Sequence, residues 1–531
     1  MSIFFCFCSL ALVALTSNLS AQYGNNSQLM ARIRDLDQKE GMVNANVISK
    51  TKGGKDIMVV TVGKGNPELQ PGIAIVGGVS GSSLASVEIV MQVMEKLIRK
   101  DPSILSEITF YFFPDMTPDA SEECFAPLVY EREENAGPYD DDRDGIADED
   151  GYDDLNQDGL ITLMRIKDPD KGEYRIHPDN PAVMVKADIS KNQKGEYRVM
   201  SEGMDNDQDG KINEDLPGGV IFNKNFSYHY PYFEHGAGEN PFSEEESLEL
   251  ARFLFDHWNI YTVVSIGPEN NLSEYSDLKS NLIDQQVPSA VHEKDKPYFE
   301  SIVTLYKSMV HLSDSAAVGP SGGDLLSWAY FHYNRFAFST PAWNVSRDKN
   351  NLGSTTFDYL KWASEHGLQD QTIPWQKIKH PDFPDKEVET GGLKPYLMNN
   401  PPMAALDSVS DQHLDFLLSL AAMHPALTFS DIKVTKKSGD LYLIEAELTN
   451  NGKCPTMTAL ATDSKWVKKI RLDILTSKAQ QVNGGRKVFL FDRIIPGESV
   501  KASWLITGQG KVVLKAGAPQ TGLVNREIDL N

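Results

Sequence analysis

Three acidic stretches in the middle of the sequence carry side chains whose type and spacing suit calcium. Each follows the pattern Asp-x-Asp/Asn-x-Asp-Gly. Calcium binds about six to eight oxygens, taken from alternate side chains and one backbone carbonyl, and Gly allows the sharp turn between them. The predicted ligands are Asp140, Asp142, Asp144, the backbone of Ile146 and Asp148 in loop 1; Asp154, Asn156, Asp158, the backbone of Leu160 and Thr162 in loop 2; and Asp205, Asp207, Asp209, the backbone of Lys211 and Asn213 in loop 3.

All three loops depart from a helix-flanked EF-hand at the twelfth position, where that motif has a bidentate Glu. Gly151, Arg165 and Leu216 stand there instead. A solvated acidic segment without a metal is the alternative interpretation. With calcium, the loops would be structural braces, and nothing in them indicates catalysis.

A glycine- and serine-rich turn at residues 77–83 is the second candidate site. It follows an apolar run at 73–76 and precedes an amphipathic segment that extends to about Arg99. A strand, a glycine-rich turn and a helix in this order place the turn at the carboxyl end of a sheet strand. Open α/β folds put their active sites at that edge.

The turn reads Gly-Gly-Val-Ser-Gly-Ser-Ser and resembles the Gly-x-His-Gly-x-Glu turn of the zinc carboxypeptidase family, carboxypeptidase A type. That resemblance puts Ser80 and Ser83 at the positions of two zinc ligands. It puts Gly267 at the third ligand, a His, and Pro341 at the general-base Glu. Serine hydroxyls are poor ligands for Zn²⁺, and proline can neither accept nor donate a proton, so we expect no zinc.

Residues 218–226 resemble a further motif of the family, Gly-Val-Asp-Leu-Asn-Arg-Asn-Phe, whose Asn and Arg grip the carboxylate of the substrate. They correspond to Asn223 and Lys224. Lysine keeps the charge of arginine but not its planar two-pronged geometry. Asn223 can equally be a turn residue that satisfies its own backbone.

Three hypotheses about function follow. The first is a carboxypeptidase-like protein without zinc or peptidase activity that binds a peptide or a cell-wall carboxylate. The second is an active zinc metallocarboxypeptidase with atypical ligands, and the third is a structural secreted module. Zinc content separates the second hypothesis from the others, and a peptide-binding assay separates the first from the third.

Charge and composition restrict the partners and the compartment. The net charge of −24 argues against nucleic acid and anionic membranes. Residues 1–21 lack charged side chains, contain an apolar run and end in Leu-Ser-Ala, which is typical of a secretory signal peptide. We therefore expect a secreted or periplasmic protein with no later membrane span. Its mature form would keep Cys124 and Cys454, whose pairing the sequence leaves open.

The length of 531 residues predicts two folded units. Residues 22–425 are expected to form an α/β domain, a carboxypeptidase-like mixed sheet flanked by helices, with an insertion at 131–217 that holds the acidic loops. Residues 350–405, rich in Pro, Gly and Asn, predict irregular structure packed on that domain. Short alternating runs with Asn-Gly turns predict an all-β sandwich at 426–531.

Overall fold

The computed structural model of the chain describes residues 22–140, 145–276, 288–312, 321–346 and 354–531. The predicted leader at 1–21 and the predicted ligands Asp142 and Asp144 lie outside the described residues.

The described part of the chain forms helices and strands throughout its length. The helices are α1 (Asn26–Lys39), α2 (Leu84–Lys100), α3 (Pro118–Glu122), α4 (Glu245–Asp256), α5 (Lys296–Met309), α6 (Leu325–Phe331), α7 (Thr355–Glu365), α8 (Met403–Ala421) and α9 (Ala459–Ser464). The strands are β1 (Val43–Lys50), β2 (Asp56–Val62), β3 (Gly72–Val76), β4 (Thr109–Phe113), β5 (Leu163–Lys167), β6 (Tyr174–His177), β7 (Asn180–Lys186), β8 (Tyr197–Ser201), β9 (Ile260–Ile266), β10 (Phe336–Thr340), β11 (Thr372–Ile378), β12 (Val388–Leu393), β13 (Leu427–Ser438), β14 (Leu441–Asn450), β15 (Ile470–Leu475), β16 (Gln481–Gly484), β17 (Val488–Phe491), β18 (Ser499–Thr507), β19 (Gly510–Ala518) and β20 (Gly522–Leu530).

The first sheet is mixed and has the order β1-β2-β4-β3-β9-β10. Strands β4, β3, β9 and β10 run parallel. Strand β2 pairs antiparallel with β4, and β1 pairs antiparallel with β2. All residues of β3, β4, β9 and β10 are buried, as expected for parallel strands covered on both faces. The chain leaves β3 for β4 on one side and returns to β9 on the other. In open α/β sheets, ligands bind at such a reversal of direction, which here lies at the carboxyl end of β3.

A second sheet holds the insertion. It is antiparallel, with the order β11-β12-β5-β8-β6-β7, so strands of the insertion pair with strands from residues 372–393. The expectation of irregular structure at 350–405 is therefore wrong for α7, β11 and β12. Pro374 is tolerated because β11 is an edge strand. Gly391 in β12 has φ 149°, and a Cβ there would lie 2.9 Å from the Ile373 carbonyl oxygen.

The carboxyl-terminal part contains two antiparallel four-stranded sheets, β13-β14-β18-β16 and β17-β15-β19-β20. Their inner faces share one apolar core that includes Ile444, Leu472, Trp504 and Leu514. The predicted fold class, a mixed α/β sheet with helices followed by an all-β unit, is confirmed.

The two parts of the chain are in close contact. Cys454 and Leu460 belong to the same apolar core as β3 and α2. Cys124 and Cys454 are both buried free thiols, which answers the open question of their pairing. None of the helices within the described ranges is long and apolar enough to cross a membrane.

Candidate functional site

The turn at residues 77–83 lies against the segment that follows β4. Gly78 has φ 56°, and a Cβ there would lie 2.4 Å from a carboxylate oxygen of Asp115. Its amide donates to Ser86 Oγ at 2.7 Å, and its carbonyl accepts from Thr117 Oγ1 at 2.9 Å. Glycine is therefore required both for the backbone angle and for the close approach. The predicted location at the carboxyl end of β3 agrees with the structure.

A carboxylate from the insertion fills this turn. Glu133 Oε1 accepts from Ser80 Oγ at 2.8 Å and from the Ser82 amide at 3.2 Å, and Oε2 accepts from the Gly81 amide at 3.0 Å. Burial raises the pKa of Glu133, while the hydrogen bonds from Ser82, Ser80 and Gly81 oppose that rise. No local pattern marks Glu133 as part of this site, because it is 53 residues from Ser80 in the sequence.

The four positions that the resemblance assigns to zinc ligands and base all lie at one edge of the first sheet. Ser80 and Ser83 follow β3, Gly267 follows β9 and Pro341 follows β10, and these three strands are adjacent. Ser83 is the N-cap residue of α2, and its side chain makes no capping bond. A Cβ at Gly267 would lie 3.2 Å from Val79 Cβ, so the side of this position that faces the turn is apolar.

These residues do not provide the donor set that zinc requires. Zn²⁺ takes imidazole nitrogen, thiolate or carboxylate ligands, and the four positions offer two hydroxyls, a hydrogen and a proline ring. Within the described ranges, the one group of three His, Cys, Asp or Glu side chains close enough to share an ion is Asp205, Asp207 and Asp209. Glu133 is not part of such a group.

The predicted substrate contacts, Asn223 and Lys224, lie next to the same edge, but they differ in burial and in hydrogen-bond partners. Asn223 is buried, its Nδ2 donates to Glu269 Oε1 at 2.5 Å, and its Oδ1 accepts from the Leu325 amide at 3.0 Å. Lys224 is partly exposed, and its Nζ donates to the His235 carbonyl oxygen at 2.9 Å. Asn223 would have to give up an internal bond to contact a ligand, whereas Lys224 holds only an exposed carbonyl oxygen.

Two buried carboxyl groups beside Asn223 were missed by sequence reasoning. Burial raises the pKa of Glu269 to about 8, and the nearby Asp324 carboxylate adds to the rise. Asp324 has no exposed surface and caps α6, where its Oδ1 accepts from the Ser327 amide at 2.8 Å. The capping role was readable from an Asp directly before Leu-Leu-Ser-Trp, but its proximity to Glu269 was not.

The acidic loops share one backbone geometry. In each, the first Asp accepts a hydrogen bond from the amide of the glycine five residues later, at 2.9 Å for Asp140, 2.7 Å for Asp154 and 3.0 Å for Asp205. The three glycines have φ of 104°, 81° and 96°. The repeated sequence pattern therefore folds as a repeated turn.

Carboxylates outside the repeated pattern connect the loops. Asp150, which has no exposed surface, accepts from the Asn206 amide at 2.8 Å and the Asn213 amide at 2.5 Å. Asp153 accepts from the Met204 amide at 3.1 Å. Loop 3 is therefore held by residues that follow loop 1 in the sequence.

Comparison with known proteins links this site to one family. The sequence profile described as "Zinc carboxypeptidase" matches residues 29–133, which contain the turn and Glu133. A second profile, described as a domain of unknown function, matches residues 426–529. The search of curated proteins returns no match. Residues 29–133 are therefore similar in sequence to the zinc carboxypeptidase family.

Solved structures with a similar chain path include carboxypeptidase A from Helicoverpa armigera, which is 13% identical with a TM-score of 0.39 over 65% of this chain and 74% of that one. Thrombin-activatable fibrinolysis inhibitor is also 13% identical, with a TM-score of 0.39 over 77% and 78% of the two chains. A putative carboxypeptidase A from Shewanella denitrificans is 9% identical, with a TM-score of 0.35 over 74% and 68%.

Proposed function

We propose that this protein is a carboxypeptidase-like protein without zinc or peptidase activity, which binds peptide or cell-wall carboxylates at the edge of its first sheet. The observation that carries the proposal is the position of Glu133. Its carboxylate accepts hydrogen bonds from the turn at which the resemblance places two zinc ligands.

The residues at the carboxyl edge of the first sheet support the proposed absence of peptidase activity. Without a metal, no bound water is acidified toward neutral pH, and without a carboxylate at position 341 no side chain there accepts its proton. Glu269 does not replace that base, because it is buried and hydrogen-bonded to Asn223. Its burial also raises its pKa, which favours the protonated acid.

Lys224 supports ligand binding. Its ammonium contacts one backbone carbonyl oxygen and remains partly exposed, so it can turn to a carboxylate without uncovering a buried group. An ammonium and a carboxylate form a charge-assisted hydrogen bond. Asn223 is held by Glu269 and the Leu325 amide. It becomes a ligand contact only if its bond to Glu269 opens.

Calcium binding by the insertion is the second proposed function. The carboxylates of Asp205, Asp207 and Asp209 lie close enough together to share an ion, and loops 1 and 2 repeat the glycine turn of loop 3. In an exported protein such loops would act as structural braces.

Metal analysis of the purified protein and a peptidase assay together test both proposals. We expect less than stoichiometric zinc, bound calcium, and no release of carboxyl-terminal residues from peptides. One equivalent of zinc together with turnover that stops when the zinc is chelated would establish the active metallocarboxypeptidase instead.

Ligand binding is tested with peptides that have a free carboxyl terminus, and with the same peptides amidated as the matched ligand control. Lys224→Ala should weaken binding of the free acid at least roughly tenfold, or about 1.4 kcal/mol, and leave the amide unaffected. Lys224→Arg should keep or improve binding, because it restores a two-pronged donor. The exposed Lys501→Ala is the control variant. If parent and variants bind no free acid, the domain is a structural module.

A further inference from the structure

Two aromatic side chains are exposed on a loop beside Lys224. Tyr232 is 58% exposed and Phe233 is 84% exposed. The Lys224 Nζ donates to the His235 carbonyl oxygen at 2.9 Å, and two residues of chain span at most about 7 Å. Phe233 therefore lies close to the cation of the proposed carboxylate contact. Single exposed apolar residues are ordinary on a protein surface, so exposure is only the first observation.

Phe233 also has an unfavourable backbone conformation. The Glu234 amide donates to the Pro231 carbonyl oxygen at 3.1 Å, which closes a turn with Phe233 at its third residue. Phe233 has φ 68°, a conformation that Gly or Asn usually provides at this place in a turn. A bulky side chain with positive φ costs stability, and such residues cluster at functional sites. Stability alone would favour Gly or Asn at position 233.

The loop that carries the two rings is fixed at both ends. The buried Tyr230 donates its hydroxyl to the Gly238 carbonyl oxygen at 2.8 Å, and the Ile221 amide donates to the Gly236 carbonyl oxygen at 2.7 Å. The Tyr230 ring packs edge-on against the Tyr232 ring, with centroids 4.8 Å apart. A ligand therefore meets a largely preformed surface, which lowers the entropy cost of binding.

The exposure of the rings indicates what kind of group they take. A pocket for an apolar side chain covers most of its surface, whereas Tyr232 and Phe233 can cover a ligand from one side only. A sugar ring suits such a surface. Its C–H face lies on the aromatic face, which carries partial negative charge, while its hydroxyl groups stay in water. Lys224 adds a cation for a carboxylate, so these features favour an acidic sugar over a peptide.

We propose that Tyr232 and Phe233 form a stacking platform which, together with Lys224, selects carboxylated sugars such as uronic acids. The inference rests on the proposed carboxylate binding at Lys224 and narrows the ligand from peptide or cell-wall carboxylates to sugar acids. The sugar ring lies on the aromatic faces, and its carboxylate accepts a charge-assisted hydrogen bond from the Lys224 ammonium. Binding makes and breaks no covalent bond.

The test uses the full-length protein with tetragalacturonate as the probe and its methyl ester as the uncharged control ligand. Calorimetric titration compares the parent with Phe233→Asn, Tyr232→Ala and Lys224→Ala. We expect each variant to weaken tetragalacturonate binding at least roughly tenfold, and the ester to bind the parent more weakly than the acid. Leu490→Ala removes an exposed apolar side chain of β17 and should bind as the parent does.

The thermal midpoint separates a ligand contact from a structural role of the Phe233 ring. Phe233→Asn should be as stable as the parent or more stable, because Asn adopts a positive φ more readily. Weaker binding with an unchanged or raised midpoint would support the platform. A lowered midpoint with unchanged binding would overturn it.

A free-acid tetra-alanine peptide, which has a carboxylate and no ring, distinguishes failure of this inference from failure of the proposed function. If the parent binds the peptide through Lys224 but not tetragalacturonate, the sugar platform is wrong and the carboxylate site stands. If tetragalacturonate and its ester bind equally and depend on Phe233 but not on Lys224, the platform stands and the carboxylate site is wrong. If the parent binds neither probe, both are wrong.

Discussion

At the scale of single residues, the Glu133 carboxylate occupies the glycine- and serine-rich turn at residues 77–83, which the sequence indicates as a candidate site. It accepts three hydrogen bonds from residues 80–82. Glu133→Ala should lower the free energy of unfolding by about 1–3 kcal/mol, because donors in a partly buried turn lose their acceptor. Urea unfolding of the full chain measures this loss. Glu133→Gln, which keeps one acceptor oxygen, should lose less, and an alanine variant as stable as the parent would contradict the assigned role.

The raised pKa of the buried Glu269 should make the stability of the folded protein depend on pH. Its pKa is about 8 in the folded protein because of burial and then of Asp324, compared with an ordinary value of 4.5. The folded state therefore binds more protons than the unfolded state between these values. The contribution of Glu269 to the free energy of unfolding is therefore fully present below pH about 4.5. It is lost as the pH rises to about 8, and the free energy of unfolding falls by up to about 1.4 kcal/mol per pH unit in this range.

Glu269→Gln mimics the protonated acid and keeps an oxygen for the Asn223 amide. The variant should match the parent near pH 5, exceed it in stability at pH 8 and show a flatter profile. Chemical denaturation at a series of pH values measures the profile. Glu293→Gln at an exposed position is the control. An identical slope in Glu269→Gln and the parent would show that Glu269 is ionised in both states.

At the scale of elements, the acidic loops flank the second sheet, since loops 1 and 2 precede β5 and loop 3 follows β8. Asp150 bonds loop 3, and Glu202 bonds the end of loop 2. Removing calcium should therefore lower the thermal midpoint of the parent. A ligand present at about 100 times its dissociation constant adds about 2.7 kcal/mol per site to the folded state. Scanning calorimetry with chelator and with added calcium tests this, and magnesium at equal ionic strength is the control. Equal thermal midpoints in chelator and in calcium would contradict a structural role for calcium in these loops.

At the scale of the whole molecule, the β-sandwich is fastened to the first domain at Asp295. This carboxylate has no exposed surface, pairs with Arg493 at 2.9 Å, and accepts from the Ala459 amide and the Tyr330 hydroxyl at 2.9 Å each. Arg493 and Ala459 come from the carboxyl-terminal part of the chain. The buried ion pair therefore joins the two folded units.

Arg493→Ala should loosen this junction, because it leaves a buried carboxylate without its cation. Breaking such a pair costs about 3–5 kcal/mol. We expect the single calorimetric transition to broaden or split and the junction to become sensitive to proteolysis. The double variant Arg493→Ala/Asp295→Asn should recover part of the loss, because no unpaired charge remains. Arg493→Ala with an unchanged transition would show that the apolar core alone holds the two units together.

Local patterns in the sequence determined much of this protein. The strand, glycine turn and helix at 73–99, the repeated turns of the acidic loops and the alternating strands after residue 426 each depend on residues a few positions apart, and all three are present in the structure. The four positions at the sheet edge were assigned by the family resemblance, and two of them, Gly267 and Pro341, directly follow strands β9 and β10.

Only the tertiary structure decided which side chains meet at these places. Glu133 is 53 residues from Ser80, Glu269 is 46 from Asn223, and Glu202 is 40 from Thr162. Strands β11 and β12 were missed because Pro and Gly oppose strand formation locally, whereas pairing with β5 supplies their stability. Spacing along the chain reports interactions within a turn or a helix. Contacts across tens of residues depend on the path of the chain, which the packing of the whole core selects.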